Sequence, residues 1–146
     1  MGTRLIKALQ NQEYAIRALV RKGSENKLPQ GCEMITGNAL DASSYQNKIE
    51  PSSTFVHLIG VAHPSPSKKE QFRKIDLVSI QEAVKAAMYA NVSHFIYLGV
   101  SQYPTKIMKD FQEVRAEGER LLLQTGLKTL LIKTSIAQRE RVLMPG

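Results

Sequence analysis

The stretch STFVHLIGVA, residues 53–62, decides the fold class of this chain. Its apolar residues are nearly continuous and do not alternate with polar ones. This pattern is typical of a strand that is covered on both faces, as in a parallel sheet flanked by helices. The stretch therefore predicts a central buried strand in an α/β protein.

Helical and strand patterns alternate on either side of this stretch. Helical spacing of Leu5, Ile6 and Leu9 predicts an amphipathic helix at the start, and Asp41 or Ser43 is positioned to cap a brief helix. The predicted order from residue 3 is α-β-β-α-β-α-β-α-β, with strands at 14–20, 32–37, 53–62, 94–100 and 128–134. Such alternation predicts a doubly wound parallel sheet of Rossmann-like type. The order opens on a helix and lacks the strand that should precede it.

Length and composition predict one globular domain. The chain has 146 residues, 42% of them apolar and 23% charged, as in an ordinary folded protein. No apolar run is long enough to span a membrane, and the first residues lack a signal-peptide pattern. The single cysteine, Cys32, has no second cysteine or paired histidine at ligand spacing, so no metal site is predicted. A reducing, cytoplasmic setting is expected.

The net charge of +7 raises the question of a polyanionic partner. The basic residues are scattered along the chain, and no aromatic residues are interleaved with them as base-stacking platforms would require. Solvated helix faces account for most of the charge. Nucleic acid is therefore disfavoured as a partner.

From about Gly2 to Leu131 the chain resembles the NAD(P)-binding domain of extended and atypical short-chain dehydrogenase/reductases. The stretches that carry the resemblance occur in the family's order: GTRLIKAL, IRALVRKGSE, TGNALD, TFVHLIGVAHP, HFIYLGVS and VRAEGERLL. NmrA-like proteins, epimerase/dehydratase-type members and relatives of the 39-kDa accessory subunit of respiratory complex I are the nearest in appearance. The resemblance implies a partial NAD(P)-binding Rossmann domain over residues 1–134, about half of a typical member. Residues 135–146 form an unassigned tail, and the family's substrate domain is lacking.

Gly2 matches the last glycine of the family's T-G-x-x-G-x-x-G loop, which opens the first helix. In this interpretation the chain begins inside the dinucleotide loop, without the first strand and the two glycines that approach the pyrophosphate. The alternative is that Gly2 simply follows an initiator methionine. The downstream match favours the first interpretation, and the missing loop is expected to impair cofactor binding.

The resemblance implies a set of cofactor-binding residues beyond Gly2. Arg21 and Lys22 follow the family's second strand, where a cation suits the 2′-phosphate of NADP, so NADP(H) is favoured over NAD(H). Solvated loop cations are the alternative. The remaining positions are Asn38 and Ala39 beside the adenine, Leu58, Ile59 and Gly60 behind the ribose and pyrophosphate, and Arg115 near ribose or phosphate. Asn38 could also be an ordinary turn residue, and Arg115 an exposed helix cation.

The family's catalytic pattern is absent, so no catalytic residue is predicted. Members pair a Ser or Thr with Tyr-x-x-x-Lys, in which the phenol transfers a proton and the lysine lowers its pKa. Here Phe111 stands at the tyrosine position and Arg115 at the lysine position. Val100 stands at the serine position, with Ser101 beside it. A phenyl ring has no exchangeable proton, and Phe111 also fits the apolar face of its helix. His57 and His94 are predicted to be core residues.

Three functions compete at this stage. The first is a binding module that holds a dinucleotide without the Tyr-Lys mechanism. The second is an NADP-dependent oxidoreductase or a sugar-nucleotide epimerase or dehydratase that uses another proton donor, such as Tyr103. The third is an inactive gene fragment. A protein partner, or self-association through the open sheet edge, is a further expectation.

Overall fold

The computed structural model describes residues 2–51, 53–59, 66–100 and 108–134. Gly60, Ser101, Tyr103 and the tail 135–146 lie outside the described residues.

Strands and helices alternate along the described chain as the sequence predicts. The helices are α1 (Gly2–Asn11), α2 (Lys69–Gln71), α3 (Val78–Ala90) and α4 (Lys109–Leu123). The strands are β1 (Arg17–Val20), β2 (Glu33–Thr36), β3 (Thr54–His57), β4 (His94–Val100) and β5 (Thr129–Thr134). Two 3-10 turns, Ala42–Ser44 and Gln46–Lys48, replace the brief helix expected after β2. The carboxylate of Asp41 caps the first of them, accepting a hydrogen bond from the backbone N–H of Ser43.

All described strand pairs are parallel, which confirms the α/β class. The strands form two separate sheets, one of β1 and β2 and one in the order β3-β4-β5. Among the described residues, β1 and β3 are therefore each hydrogen-bonded on one side only. The division falls where the doubly wound order 3-2-1-4-5-6 would place the family's first strand.

The expectation that residues 53–62 are covered on both faces is wrong for the described part. Phe55 and His57 point into the protein, and the Phe55 ring stacks on Phe95 at 4.9 Å. Val56, on the opposite face, is 37% exposed, and Leu130 and Ile132 of β5 are also exposed. Among the described helices, α3 and α4 pack on the face of Phe55, so the apolar run has only one buried face.

The main core lies between this face and the helices. Phe111, Val114 and Leu122 of α4 are fully buried, and the Phe111 ring contacts Phe72 at 5.1 Å. Helix α4 thus buries the apolar face that includes Phe111, as predicted. In α1, by contrast, Leu5, Ile6 and Leu9 are only half-buried. The helix forms as predicted but contributes no fully buried residue.

A π-helix, Phe72–Leu77, joins α2 to α3, so that residues 69–90 form one continuous helix. A π-helical turn is wider than an α-helical one and is frequent at functional sites. This turn buries Phe72, Asp76 and Leu77 together. The helix ends at Asn91, whose left-handed backbone (φ 55°) closes the last turn.

Candidate functional site

Most of the residues that the resemblance implies lie at the carboxyl ends of parallel strands, where open α/β sheets bind ligands. Arg21 and Lys22 follow β1, and Asn38 and Ala39 come two residues after β2. Val20 is paired with Thr36, and the Gly37 N–H donates to the Val20 carbonyl at 3.0 Å. The two strands therefore end level, and the structure brings these two groups to one edge.

The loop after β1 presents its cations to solvent. Arg21 and Lys22 are exposed, and neither forms an ion pair with another residue of the described ranges. A turn follows at once: the Ser24 N–H donates to the Arg21 carbonyl at 3.0 Å, and Gly23 has φ 94°. The backbone N–H groups of Glu25 and Gly23 lower the pKa of the Glu25 carboxylate. The loop is thus ordered by its own backbone, which leaves both cations available to an anion.

Asn38 forms a turn with its own backbone. Its side-chain oxygen accepts from the Leu40 N–H at 2.9 Å, and its N–H donates to the Ser44 hydroxyl at 2.8 Å. Its side-chain amide group still carries two donors on an exposed residue. Gly37 is closely packed, since an added Cβ would lie 3.2 Å from the Leu19 side chain and from Ser44, and these neighbours would have to shift slightly. Ala39 is half-buried in the same turn.

The remaining implied residues belong to other elements of the fold. Leu58 and Ile59 follow β3 in the second sheet and are half-buried. Gly2 is the first residue of α1, and an added Cβ there would meet no atom within 4 Å.

Arg115 is almost fully buried, with 1% of its surface exposed. Its Nη2 lies 2.9 Å from the Asp76 carboxylate and donates to the Ile59 carbonyl at 3.1 Å. Its Nη1 donates to the Leu98 carbonyl at 3.1 Å. The guanidinium also lies 5.6 Å from the Phe111 ring centre and 5.9 Å from that of Tyr97. Arg115 therefore has partners within the protein, and the alternative interpretation of it as an exposed helix cation is wrong.

Phe111, at the tyrosine position, has no exposed surface, which confirms the prediction that it is a core residue. His57 is likewise buried, and its Nε2 lies 3.2 Å from the Ser79 hydroxyl, as expected of a satisfied core histidine. His94 differs from the prediction: it is exposed at the start of β4, 3.4 Å from the Thr54 hydroxyl.

Asp76 and Ser79 are the functional candidates that sequence reasoning missed. Both are buried, and the Ser79 hydroxyl donates to the Asp76 carbonyl at 3.0 Å. The sequence does contain a signal for Asp76. Phe72, Asp76 and Ile80 are spaced four residues apart, which places the carboxylate on the same helix face as two apolar residues. A charged residue on such a face requires a buried partner.

Two further observations concern only the described residues. They contain no group of three or more His, Cys, Asp or Glu side chains that could hold a metal ion. No helix within them has the length and apolar character needed to cross a membrane.

A family model described as NAD(P)H-binding matches residues 1–135 of the chain. Similar solved structures include a nucleoside-diphosphate-sugar epimerase from Staphylococcus aureus, with TM-score 0.68, 17% identity and coverage of 88% of this chain and 44% of that chain. A UDP-galactose 4-epimerase has TM-score 0.75 at 14% identity, covering 90% of this chain and 51% of the other. The Bordetella bronchiseptica enzyme WbmH, in complex with NAD+, has TM-score 0.72 at 14% identity, with coverage of 92% and 52%.

At these identities the structural likeness establishes the fold. The chain spans about half the length of these solved structures. No curated protein matches the chain significantly in sequence.

Proposed function

We infer, from the premise that this chain belongs to the NAD(P)H-binding family, that it holds a nicotinamide dinucleotide without performing Tyr-Lys catalysis. One observation carries the second half of this proposal. The residue at the tyrosine position, Phe111, is fully buried, and the residue at the lysine position, Arg115, is paired with Asp76. Neither can exchange a proton with a substrate, because a phenyl ring has none to give and a guanidinium does not deprotonate in proteins.

We assign the adenosine half of the dinucleotide to the carboxyl ends of β1 and β2. Arg21 and Lys22 would hold the 2′-phosphate, and the Asn38 amide, with Ala39 beside it, would face the adenine. The exposed cations favour NADP(H) over NAD(H), since a guanidinium binds a phosphate with two parallel charged hydrogen bonds. Neither position 21 nor position 22 carries an Asp or Glu, whose negative charge would repel a 2′-phosphate.

The pyrophosphate and the nicotinamide half are assigned to the remaining residues. The N-terminus of α1, which begins at Gly2, would receive the pyrophosphate. Leu58, Ile59 and Gly60 would back the ribose, with Arg115 behind them. When bound, the cofactor would supply hydride chemistry, for which this chain presents no described proton donor at the family's positions.

A second candidate is an NADP-dependent oxidoreductase or a sugar-nucleotide epimerase or dehydratase. The similar solved structures that are named as epimerases favour it. It requires another proton donor, such as Tyr103. The two candidates differ by turnover, because a holding protein should not consume NADPH in the presence of carbonyl substrates. For either candidate we propose a cytoplasmic location.

The cofactor preference is tested by fluorescence titration with NADPH and NADH, on this chain and on a version with a relative's first strand and glycine loop added before Gly2. We expect the extended version to bind NADPH more tightly. Arg21→Ala should weaken NADPH binding by about 1–3 kcal/mol, as for a hydrogen bond to a charged group, and leave NADH binding unchanged.

Lys27→Ala is the matched control, because Lys27 is an exposed cation in the same loop. Lys27→Ala should change neither the affinity for NADPH nor the affinity for NADH. Equal or tighter binding of NADH by the extended version would contradict the NADP(H) preference. Steady oxidation of NADPH with a carbonyl substrate would favour the second candidate.

A further inference from the structure

The Arg115 guanidinium joins three separate parts of the fold. Through Nη2 it reaches Asp76 in the π-helix at 2.9 Å and the Ile59 carbonyl, just beyond β3, at 3.1 Å. Through Nη1 it reaches the Leu98 carbonyl in β4 at 3.1 Å. Because the guanidinium is planar and its donors have fixed directions, these three partners are held in one mutual geometry.

The end of β3 depends on this contact. The β3 ladder to β4 runs from Thr54 to His57, so Ile59 lies beyond the last paired residue. On its other side β3 has no hydrogen-bonded strand among the described residues. Among the described residues, the partner recorded for the Ile59 carbonyl is Arg115 and not a neighbouring strand.

A second link reaches β3 from Ser79, in the first turn of α3 just after the π-helix. The Ser79 hydroxyl donates to the Asp76 carbonyl at 3.0 Å and lies 3.2 Å from Nε2 of His57, the last residue of β3. Asp76 of the π-helix is thus linked to β3 in two ways: its carboxylate through Arg115, and its backbone carbonyl through Ser79. Such π-helical turns often occur where a helix has a functional role.

Burial indicates that the ion pair is not explained by stability alone. The side chains of Arg115 and Asp76 are 1% and 0% exposed, so both charges have lost their hydration. Replacing a buried ion pair with apolar residues of similar volume is often neutral or stabilising. Apolar residues could not, however, donate to the carbonyls of Ile59 and Leu98.

We propose that Asp76 and Arg115 are positioning residues, which clamp the carboxyl ends of β3 and β4 at the edge where a dinucleotide would bind. Asp76 orients the guanidinium, and the guanidinium fixes the two carbonyls. In this role Arg115 acts through Ile59 and need not touch a cofactor. The consequence for dinucleotide binding rests on the proposed function, whereas the clamp itself is a property of the unliganded chain.

The test compares Arg115→Met with the double variant Asp76→Leu/Arg115→Met, using thermal melting and hydrogen exchange of the segments 54–59 and 94–99 without ligand. Arg115→Met should lower the melting temperature, because the buried Asp76 carboxylate loses its ion pair with Arg115. The double variant should recover the melting temperature, while amide exchange at residues 58–59 stays faster than in the unmodified chain by about tenfold or more.

Arg73→Met is the matched control. Arg73 pairs with Glu117 at 3.7 Å across the same two helices, but both side chains are substantially exposed. Its loss should change neither measurement. Recovery of both the melting temperature and the exchange protection in the double variant would overturn the proposal, because packing alone would then explain the pair.

Arg115→Lys decides the matter if the double variant does not fold. A lysine keeps the charge opposite Asp76 but lacks the planar fork that reaches both carbonyls. Faster exchange at residues 58–59 supports the clamp, and unchanged exchange overturns it. A parallel NADPH titration separates the two proposals: absent binding by the unmodified chain and its N-terminally extended version would contradict the proposed function and leave the exchange result standing.

Discussion

At the scale of single residues, Tyr45 is the titratable group whose environment has the clearest consequence. It is 3% exposed and packs with Ala42 and Ala86, where the turn after β2 meets α3. Burial, with smaller contributions from the charges of Glu82 and Asp41, raises the pKa of its phenol to about 12. The phenolate form is therefore disfavoured in the folded protein.

This shift predicts a loss of stability at alkaline pH. Below pH 10 the Tyr45 phenol is neutral in both the folded and the unfolded chain, so its contribution to the free energy of unfolding is fully present. As the pH rises from 10 towards 12, the unfolded chain ionises first, and stability falls by about 1 kcal/mol at pH 11. Tyr45→Phe should remove this part of the decrease, as measured by urea unfolding at pH 8 and pH 11.

Tyr14→Phe serves as the control for this prediction. Tyr14 is 64% exposed, so its phenol is solvated in both states and the substitution should leave the alkaline decrease in place. An identical pH dependence in Tyr45→Phe and the unmodified chain would show that the Tyr45 phenol is not protected by burial.

At the scale of elements, the packing of α4 on β4 depends on a glycine. A Cβ added at Gly118 would lie 2.7 Å from the Tyr97 hydroxyl oxygen and 3.0 Å from the Ile80 side chain. Tyr97 and Ile80 are both buried, so neither can move aside freely. The helix can approach the strand this closely only because position 118 lacks a side chain.

Gly118→Ala should therefore destabilise the protein. Overpacking of this kind costs about 1–3 kcal/mol, which exceeds the gain of about 1 kcal/mol from the higher helix propensity of alanine. Urea unfolding measures the net effect. In the Tyr97→Phe background, which lacks the hydroxyl, the same substitution should be less destabilising. A net stabilisation by Gly118→Ala in the unmodified background would contradict the packing argument.

At the scale of the whole molecule, the dominant feature is the division of the strands into two sheets. β1 and β3 each have one unpaired edge among the described residues, and Val56, Leu130 and Ile132 expose apolar surface on the second sheet. Unpaired strand edges are ready templates for pairing with another chain. Each unpaired buried backbone group costs about 1–3 kcal/mol, against a net stability of about 5–15 kcal/mol for a typical domain.

We expect this 146-residue chain to be marginally stable or self-associating, and to bind dinucleotide poorly. Light scattering over a dilution series measures self-association. Thermal melting measures the cooperativity of unfolding, and NADPH fluorescence measures dinucleotide binding. A version with a strand and glycine loop added before Gly2 should be more monomeric and bind more tightly. A monomer with a sharp melt and micromolar NADPH binding, all without that addition, would contradict the expectation.

Local pattern was sufficient for much of this structure. The alternation of strands and helices, the cap at Asp41 and the buried face that includes Phe111 follow from residue spacing and turn chemistry within a few residues. The NAD(P)H-binding family follows from stretches spread over most of the chain. Predicting these features does not require knowing which distant segments of the chain are in contact.

The tertiary structure decided what depends on distant contacts. The apolar run at 53–62 predicts a strand, but only the arrangement of the helices determines that Val56 is partly exposed. Likewise, the separation of β1 from β3 is a matter of pairing between strands more than thirty residues apart. Arg115 resembles an exposed helix cation in sequence, yet it is buried because its guanidinium meets Asp76 and, 56 positions earlier in the chain, the carbonyl of Ile59. The spacing of residues along one helix does not reveal which partner another element will supply. Whether a charged side chain can be buried depends on such a partner.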